Sequence, residues 1–133
     1  MKDFLMDSDI CVELIRGNNA IRSKVAQIGS KRCFISEITV AELRFGAERS
    51  KRREEEHYIV DWVCKGFTVL PISDAIRTFA IEKTKLWSIG QKIPDFDMLI
   101  GATALFHKLI LVTNNTQHFE RMQSVQLENW MQE

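Results

Sequence analysis

The stretch FLMDSD, residues 4–9, is a short apolar run that ends on two acids. An apolar run of strand length broken at once by carboxylates places Asp7 and Asp9 at the carboxyl end of a β-strand. Two carboxylates one residue apart are costly to hold together unless something positive lies between them. Two chemistries use such a site. In one, a phosphatase, the first acid is a nucleophile; in the other, a nuclease, several acids gather metal ions.

Outward from this stretch, further strand-like runs appear at RCFIS (32–36), FTVLPI (67–72) and LILVT (109–113), with a weaker one at SVQLEN (124–129). Helical patterns separate them. SDICVELIRG carries Ser8 or Asp9 as N-cap and Gly17 as a C-terminal stop. NNAIRSKVAQIG spaces Ile21, Val25 and Ile28 by four and three. SEITVAELRFGAERS puts Ile38, Ala41 and Phe45 on one face, with Ser36 as its cap. REEEHYIVDWVCKG has three acids in its first turn, where the helix dipole favours them. SDAIRTFAIEKTKLWSIG is amphipathic, and PDFDMLIGATALFHK starts after a proline and ends on a base. Strands alternating with helices predict an α/β fold, with a mostly parallel central sheet of four to five strands flanked by helices. In such sheets ligands bind beyond the carboxyl ends of the strands, the rim that receives Asp7, Ser36 and Thr113.

The bulk numbers agree. At 133 residues the chain reads as one domain, 1–133, able to bury a core without staples. Lys plus Arg and Asp plus Glu balance at 18 each, so no basic excess marks a strong non-specific nucleic-acid binder. Cys11, Cys33 and Cys64 form no CxxC pair and lie among apolar residues, as small buried hydrophobes of a reducing compartment. The start MKDFLMDSD has no signal-peptide core, and no apolar run approaches the roughly 20 residues of a membrane span. A cytoplasmic protein is expected.

Three acids stand among apolar neighbours: Asp7, Glu42 in ITVAELRFG, and Asp97 in IPDFDMLIGATAL. Acids in mostly buried segments need a partner or a metal. An outer-face position for Glu42 and a helix-dipole position for Asp97 are the ordinary alternatives. Taken together, three such acids favour a site for a hard cation, Mg²⁺ or Mn²⁺, which carboxylate oxygens select over zinc. Asp9 and Asp95 are able to join them, although capping is the favoured reading of each.

FLMDSD also matches the DxD that opens haloacid dehalogenase-type phosphatases, with Asp7 and Asp9 as the pair. Ser36, Lys92 and DFD (95–97) supply the other residue types that those enzymes use. The context weakens the match, because SIGQKIP rather than an apolar strand precedes DFD, and Glu42 has no role; the phosphatase stays as the runner-up reading.

Four ordered blocks carry a different resemblance: FLMDSDICVELIRG, CFISEITVAELRFGAERS, GQKIPDFDMLIGATAL and LILVTNNTQHFERMQSVQLENW. They are similar to the D-T-N-I, S-x-I-T-x-A-E-L-x-x-G-A, G-x-x-I-G-x-x-D-x-L-I-A-A-x-A and V-T-x-N-x-x-x-F-x-R-I patterns of PIN-domain ribonucleases. The chain resembles the VapC toxins of toxin–antitoxin pairs in particular. The resemblance implies a PIN-like fold and puts Asp7, Glu42 and Asp97 on the family's acidic metal positions. It makes Glu120 the match for a fourth acid and places Thr113 and Asn115 as polar residues lining the site. Asp9 stands where the family has Asn, Pro94 where it has Gly, and Gly101 where it has Ala.

The implied activity is metal-dependent hydrolysis of RNA, a tRNA anticodon loop being one substrate of such toxins. A PIN-like domain that binds RNA without cutting it is the alternative, which the intact acids disfavour. Arg49, Lys51, Arg52 and Arg53 are candidate phosphate contacts, although a solvated turn neutralising Glu54–Glu56 is the favoured reading. Trp62 and Trp87 read as core or interface, with RNA stacking a lesser option for Trp87. His57, His107 and His118 are scattered and receive no role. The implied partners are a VapB-like antitoxin and a second copy of the chain, with Ile59, Phe79 and Leu86 as candidate dimer contacts.

Overall fold

The computed structural model describes residues 2–131. Five strands, β1 (Phe4–Met6), β2 (Cys33–Ser36), β3 (Thr68–Leu70), β4 (Ile110–Val112) and β5 (Leu127–Glu128), form one sheet in the order β3-β2-β1-β4-β5. Every pairing is parallel, with Phe4 opposite both Cys33 and Ile110. The expected strands are therefore all present, the weak one included.

Parallel neighbours need crossover connections, and helices supply them. α1 (Ser8–Arg16) and α2 (Asn19–Ile28) join β1 to β2; α3 (Glu37–Glu48) and α4 (Arg53–Gly66) join β2 to β3. α5 (Ile76–Ser88) and α6 (Asp95–His107) return the chain to β4, and α7 (Thr116–Phe119), which no sequence signal announced, leads to β5. The chain builds outward from β1 to β3, then restarts on the other side of β1. The carboxyl ends of β1 and β4 thus form the switch point at which such sheets bind ligands.

Alternation along β1 divides the core. Phe4 and Met6 pack with Ile10, Cys11, Ile21, Ile35 and Trp130. Leu5 packs on the other side with Met98, Ile100, Leu111 and Phe119. Trp130 meets Phe4 at a centroid distance of 5.3 Å, so the last block is anchored to the first strand. Cys11 and Cys33 are buried and free, and burial pushes the Cys33 thiol up to about 11. No helix among the described residues is long and apolar enough to cross a membrane.

Several local expectations are corrected. The N-cap of α1 is Asp7, which accepts from the Ser8 amide, rather than Ser8 or Asp9. Pro94 holds the N-cap position of α6 without a side-chain bond, so Asp95 is no cap either; it lies in the first turn and pairs with Lys83 at 2.8 Å. Ser36 does cap α3, and Gly17 closes α1 in the left-handed conformation at φ 90°. The buried face of α3 is Ile38, Thr39, Leu43 and Ala47, whereas Phe45 is exposed. Its neighbours α4 and the sheet, unknown to the periodicity, choose the face. Trp62 and Trp87 are exposed, which removes the core half of the core-or-interface reading, and Leu86 is buried within the chain rather than free for a partner.

Candidate active site

The end of β1 is tied to β4 by the Asp7 amide, which donates to the Val112 carbonyl at 2.9 Å. The Asp7 side chain is buried. One carboxylate oxygen accepts from the Ser8 amide and the other from the Thr113 hydroxyl, both at 2.8 Å. Thr113 Oγ1 in turn accepts from the Asn115 amide at 3.0 Å. The strand end of β4 therefore acts as a clamp on the strand end of β1.

Asp9, in the first turn of α1, accepts from the Asn114 amide at 2.9 Å through one oxygen. Its other oxygen, Oδ1, is buried with no partner among the described residues. Glu42 reaches the rim from α3, where Oε1 accepts from the Ser8 hydroxyl at 2.5 Å. The same hydroxyl lies 3.3 Å from buried Thr39 Oγ1. Asp97 arrives from the first turn of α6, and its Oδ2 lies 2.8 Å from His118 Nδ1. Asn115 Nδ2 is 3.0 Å from the same ring nitrogen. One nitrogen cannot accept from Asn115 while facing a carboxylate lone pair, so the stable arrangement has Nδ1 protonated and donating to Asp97, with the Asn115 amide oxygen turned toward the ring.

The electrostatics are one-sided. Burial pushes the Asp7 carboxyl up to about 7, and the charge of Asp9 adds to the effect; the bonds from Thr113 and Ser8 oppose it, while the Asp97 charge reinforces it. Burial likewise raises Asp9, against the pull of its backbone bonds. Among the described residues no lysine or arginine pairs with Asp7, Asp9, Glu42 or Asp97.

Of the residues singled out from sequence, the structure thus links Asp7 to Thr113 and Asn115, Asp97 to Asn115 through His118, and Glu42 to the site through Ser8, with Asp9 held by Asn114. Glu120 ends α7 exposed, and among the described residues no hydrogen bond or ion pair joins it to the cluster. Asp95 is turned to Lys83. In the 49–53 turn, Arg52 pairs with Glu55, Arg53 with Glu48, and Arg49 lies over the Phe45 ring at 5.4 Å; Lys51 is exposed. Sequence reasoning missed Ser8 as a bridge and His118 altogether. The only local signal for His118 was its place three residues after Asn115, in the block that follows β4.

The donor set suits a hard divalent ion. Its oxygens are carboxylate, it holds a buried unpartnered oxygen on Asp9, and among the described residues no lysine or arginine neutralises it. Asp7 and Asp97 would hold such an ion, with Glu42 and Asp9 nearest to them. Among the described residues no three His, Cys, Asp or Glu side chains are already converged as a metal-holding group.

The model of the PIN domain family matches residues 4–124. The chain belongs to the PIN-domain family. Among relatives of this PIN-domain chain is the tRNA(fMet)-specific endonuclease VapC of Shigella flexneri, 32% identical over 131 residues, which are 98% of this chain and 99% of that protein. Another is ribonuclease VapC2 of Haemophilus influenzae, 33% identical over 133 residues, 98% of this chain and all of that one. The crystal structure of DNA-bound VapBC from Salmonella typhimurium superposes with a TM-score of 0.91 at 29% identity, covering 98% of this chain and 99% of that one. Placing the chain in this family removes the haloacid dehalogenase reading; DFD opens α6 instead of ending a strand.

Proposed function

We propose that the chain is a divalent-metal-dependent endoribonuclease, with a tRNA loop as its substrate class, and the toxin of a VapBC-type pair. The carrying observation is that Asp7, Asp9, Glu42 and Asp97 are tied to one strand-end rim, with no lysine or arginine paired to any of them among the described residues. The names of its VapC relatives, a tRNA(fMet)-specific endonuclease and a ribonuclease, support the reading.

Mg²⁺ or Mn²⁺ bound at the rim supplies charge for the scissile phosphate and acidifies the attacking water. The chain's own residues prepare that place. Thr113 and the Ser8 amide fix both oxygens of Asp7. His118 holds one oxygen of Asp97. Ser8 aims Glu42, leaving its second oxygen to orient a water or a second ion. The solved relatives include VapBC complexes, which supports a VapB-like antitoxin as partner here. A groove of about 770 Å³ between α1, α2 and α4, lined by Leu14, Ile15, Val25, Trp62 and Phe67, suits an apolar antitoxin segment. A homodimer and a cytoplasmic location complete the reading.

The test is incubation of antitoxin-free protein with total tRNA and Mg²⁺ or Mn²⁺, with and without EDTA, beside Asp97→Asn. Discrete fragments that disappear with EDTA and in the variant are expected. Intact tRNA, mRNA and rRNA with folded wild-type protein would overturn the reading, and phosphate release from a small ester would revive a phosphatase.

A further inference from the structure

The last turn of α5 leaves Trp87 62% exposed, although its neighbour Leu86 is buried against α6. The indole is flanked by two ammonium groups, with Lys83 Nζ at 5.8 Å and Lys92 Nζ at 5.6 Å from the ring centroid. This patch is fastened to the acid-bearing elements. Lys83 Nζ donates to Asp95 Oδ1 at 2.8 Å, two residues before Asp97. Arg121 Nη1 donates to the Lys92 carbonyl at 2.8 Å, and Arg121 follows His118 by three residues. Phe96, between Asp95 and Asp97, is half exposed.

An exposed aromatic between cations is the arrangement that holds single-stranded nucleic acid: every base has a face to stack, and every phosphate a charge to meet. The other basic stretch is less free. Arg52 and Arg53 are paired with glutamates and Arg49 lies on Phe45. By contrast, Lys92 and Arg121 have no carboxylate partner among the described residues. Trp62, the other exposed tryptophan, lines the groove between α1, α2 and α4.

We propose that Trp87, with Lys92 and Arg121, is the RNA platform of this site: a base of a single-stranded segment stacks on the indole, and the adjoining phosphates meet the two cations, which brings the next phosphodiester to Asp97. This rests on the ribonuclease reading above.

The test measures binding of a fluorescein-labelled single-stranded oligoribonucleotide to the uncleaving Asp97→Asn protein across a salt series. Trp87→Leu, Trp87→Phe, Lys92→Gln and Trp62→Leu are each added to that background, and light scattering gives the oligomeric state of each. Trp87→Leu is expected to weaken binding about 5- to 100-fold, and Trp87→Phe much less, as stacking requires. Lys92→Gln is expected to lower the salt slope by about 1, and Trp62→Leu to change neither quantity. Equal affinity of parent and Trp87→Leu would overturn the platform and leave the ribonuclease reading standing. A Trp87→Leu protein whose weaker binding tracks loss of a dimer would overturn it too, giving Trp87 to a second copy. A parent that neither binds RNA here nor cleaves it as wild type would remove both readings together.

Discussion

Two clusters of charged side chains lie on opposite faces of α3, and they are built on opposite rules. On one face Arg44 donates to Asp61 at 2.5 Å and to the His57 carbonyl at 3.0 Å, while His57 Nε2 meets Glu48 at 2.9 Å and Arg53 lies 3.4 Å from Glu48. Every acid there has a cation. The bond from His57 lowers Glu48, and the bond from Arg44 lowers Asp61. On the other face, Glu42 joins Asp7, Asp9 and Asp97, which rely on hydroxyls, amides and one imidazole, and burial raises both Asp7 and Asp9. The chain is capable of pairing its charges and leaves these unpaired. Burial that raises Asp7 and Asp9, with no lysine or arginine paired to them among the described residues, is what the proposed metal site rests on, whereas the paired corner holds α3 against α4.

The sharpest way to break this contrast is pH. Asp7 titrates near 7 when folded and near 4 when unfolded. Between those values the folded chain keeps a proton that the unfolded chain has released, so stability without metal falls as pH rises from about 4 to 7 and is level above. The loss is about 4 kcal/mol at 1.36 kcal/mol per pH unit. Asp7→Asn should abolish most of that slope in urea melts taken across pH 4–8, and a slope unchanged by the substitution would place the strain elsewhere. The corner behaves with the other sign: Glu48 and Asp61 contribute above the ordinary carboxylate pKa and lose that contribution as pH falls through their lowered folded values.

Arg44→Ala sharpens the comparison from the paired side. It removes the tie between α3 and α4 without touching the rim. The expected result is a melting temperature lower by about 2–5 °C, with RNA cleavage within about twofold of wild type. Loss of cleavage in a folded protein would mean that the corner also shapes the rim.

The smallest effect is expected where packing alone is changed. A Cβ on Gly101 would lie 2.6 Å from Met122 Sδ and 2.8 Å from its Cε. That tip is flexible, so Gly101→Ala should cost about 1 kcal/mol, without pH dependence, and Met122→Ile in the same chain should recover part of it.

Much of this was legible in the sequence, for physical reasons that differ by residue. The strands and Ser36 were readable because period, length and capping chemistry are local. Asp7, Glu42 and Asp97 stood out as acids in apolar company. The bridges between them were not readable, because Thr113 meets Asp7 across 106 residues and His118 meets Asp97 across 21. No periodicity links such positions. The caps of α1 and α6 differ because each helix starts one residue earlier than the capping signal: Asp7 turns its carboxylate onto Ser8, and Asp95 is already the first residue of α6, with Pro94 in the cap position. The face of α3 differs in part: of Ile38, Ala41 and Phe45, which share a face by period, only Ile38 is buried, and α4 and the sheet bury Thr39, Leu43 and Ala47 with it.

The most direct measurement is calorimetric titration of Mn²⁺ into the metal-free protein at pH 7, in two buffers of different ionisation enthalpy, with Asp7→Asn alongside. Saturable binding is expected, with release of a fraction of a proton per ion, because burial raises the Asp7 carboxyl to about 7 and it must ionise to bind. Binding should be lost or much weakened in Asp7→Asn. The absence of any binding, or the same affinity and no proton release in both proteins, would contradict the claim that these acids are held apart from the chain's own cations to receive a metal ion.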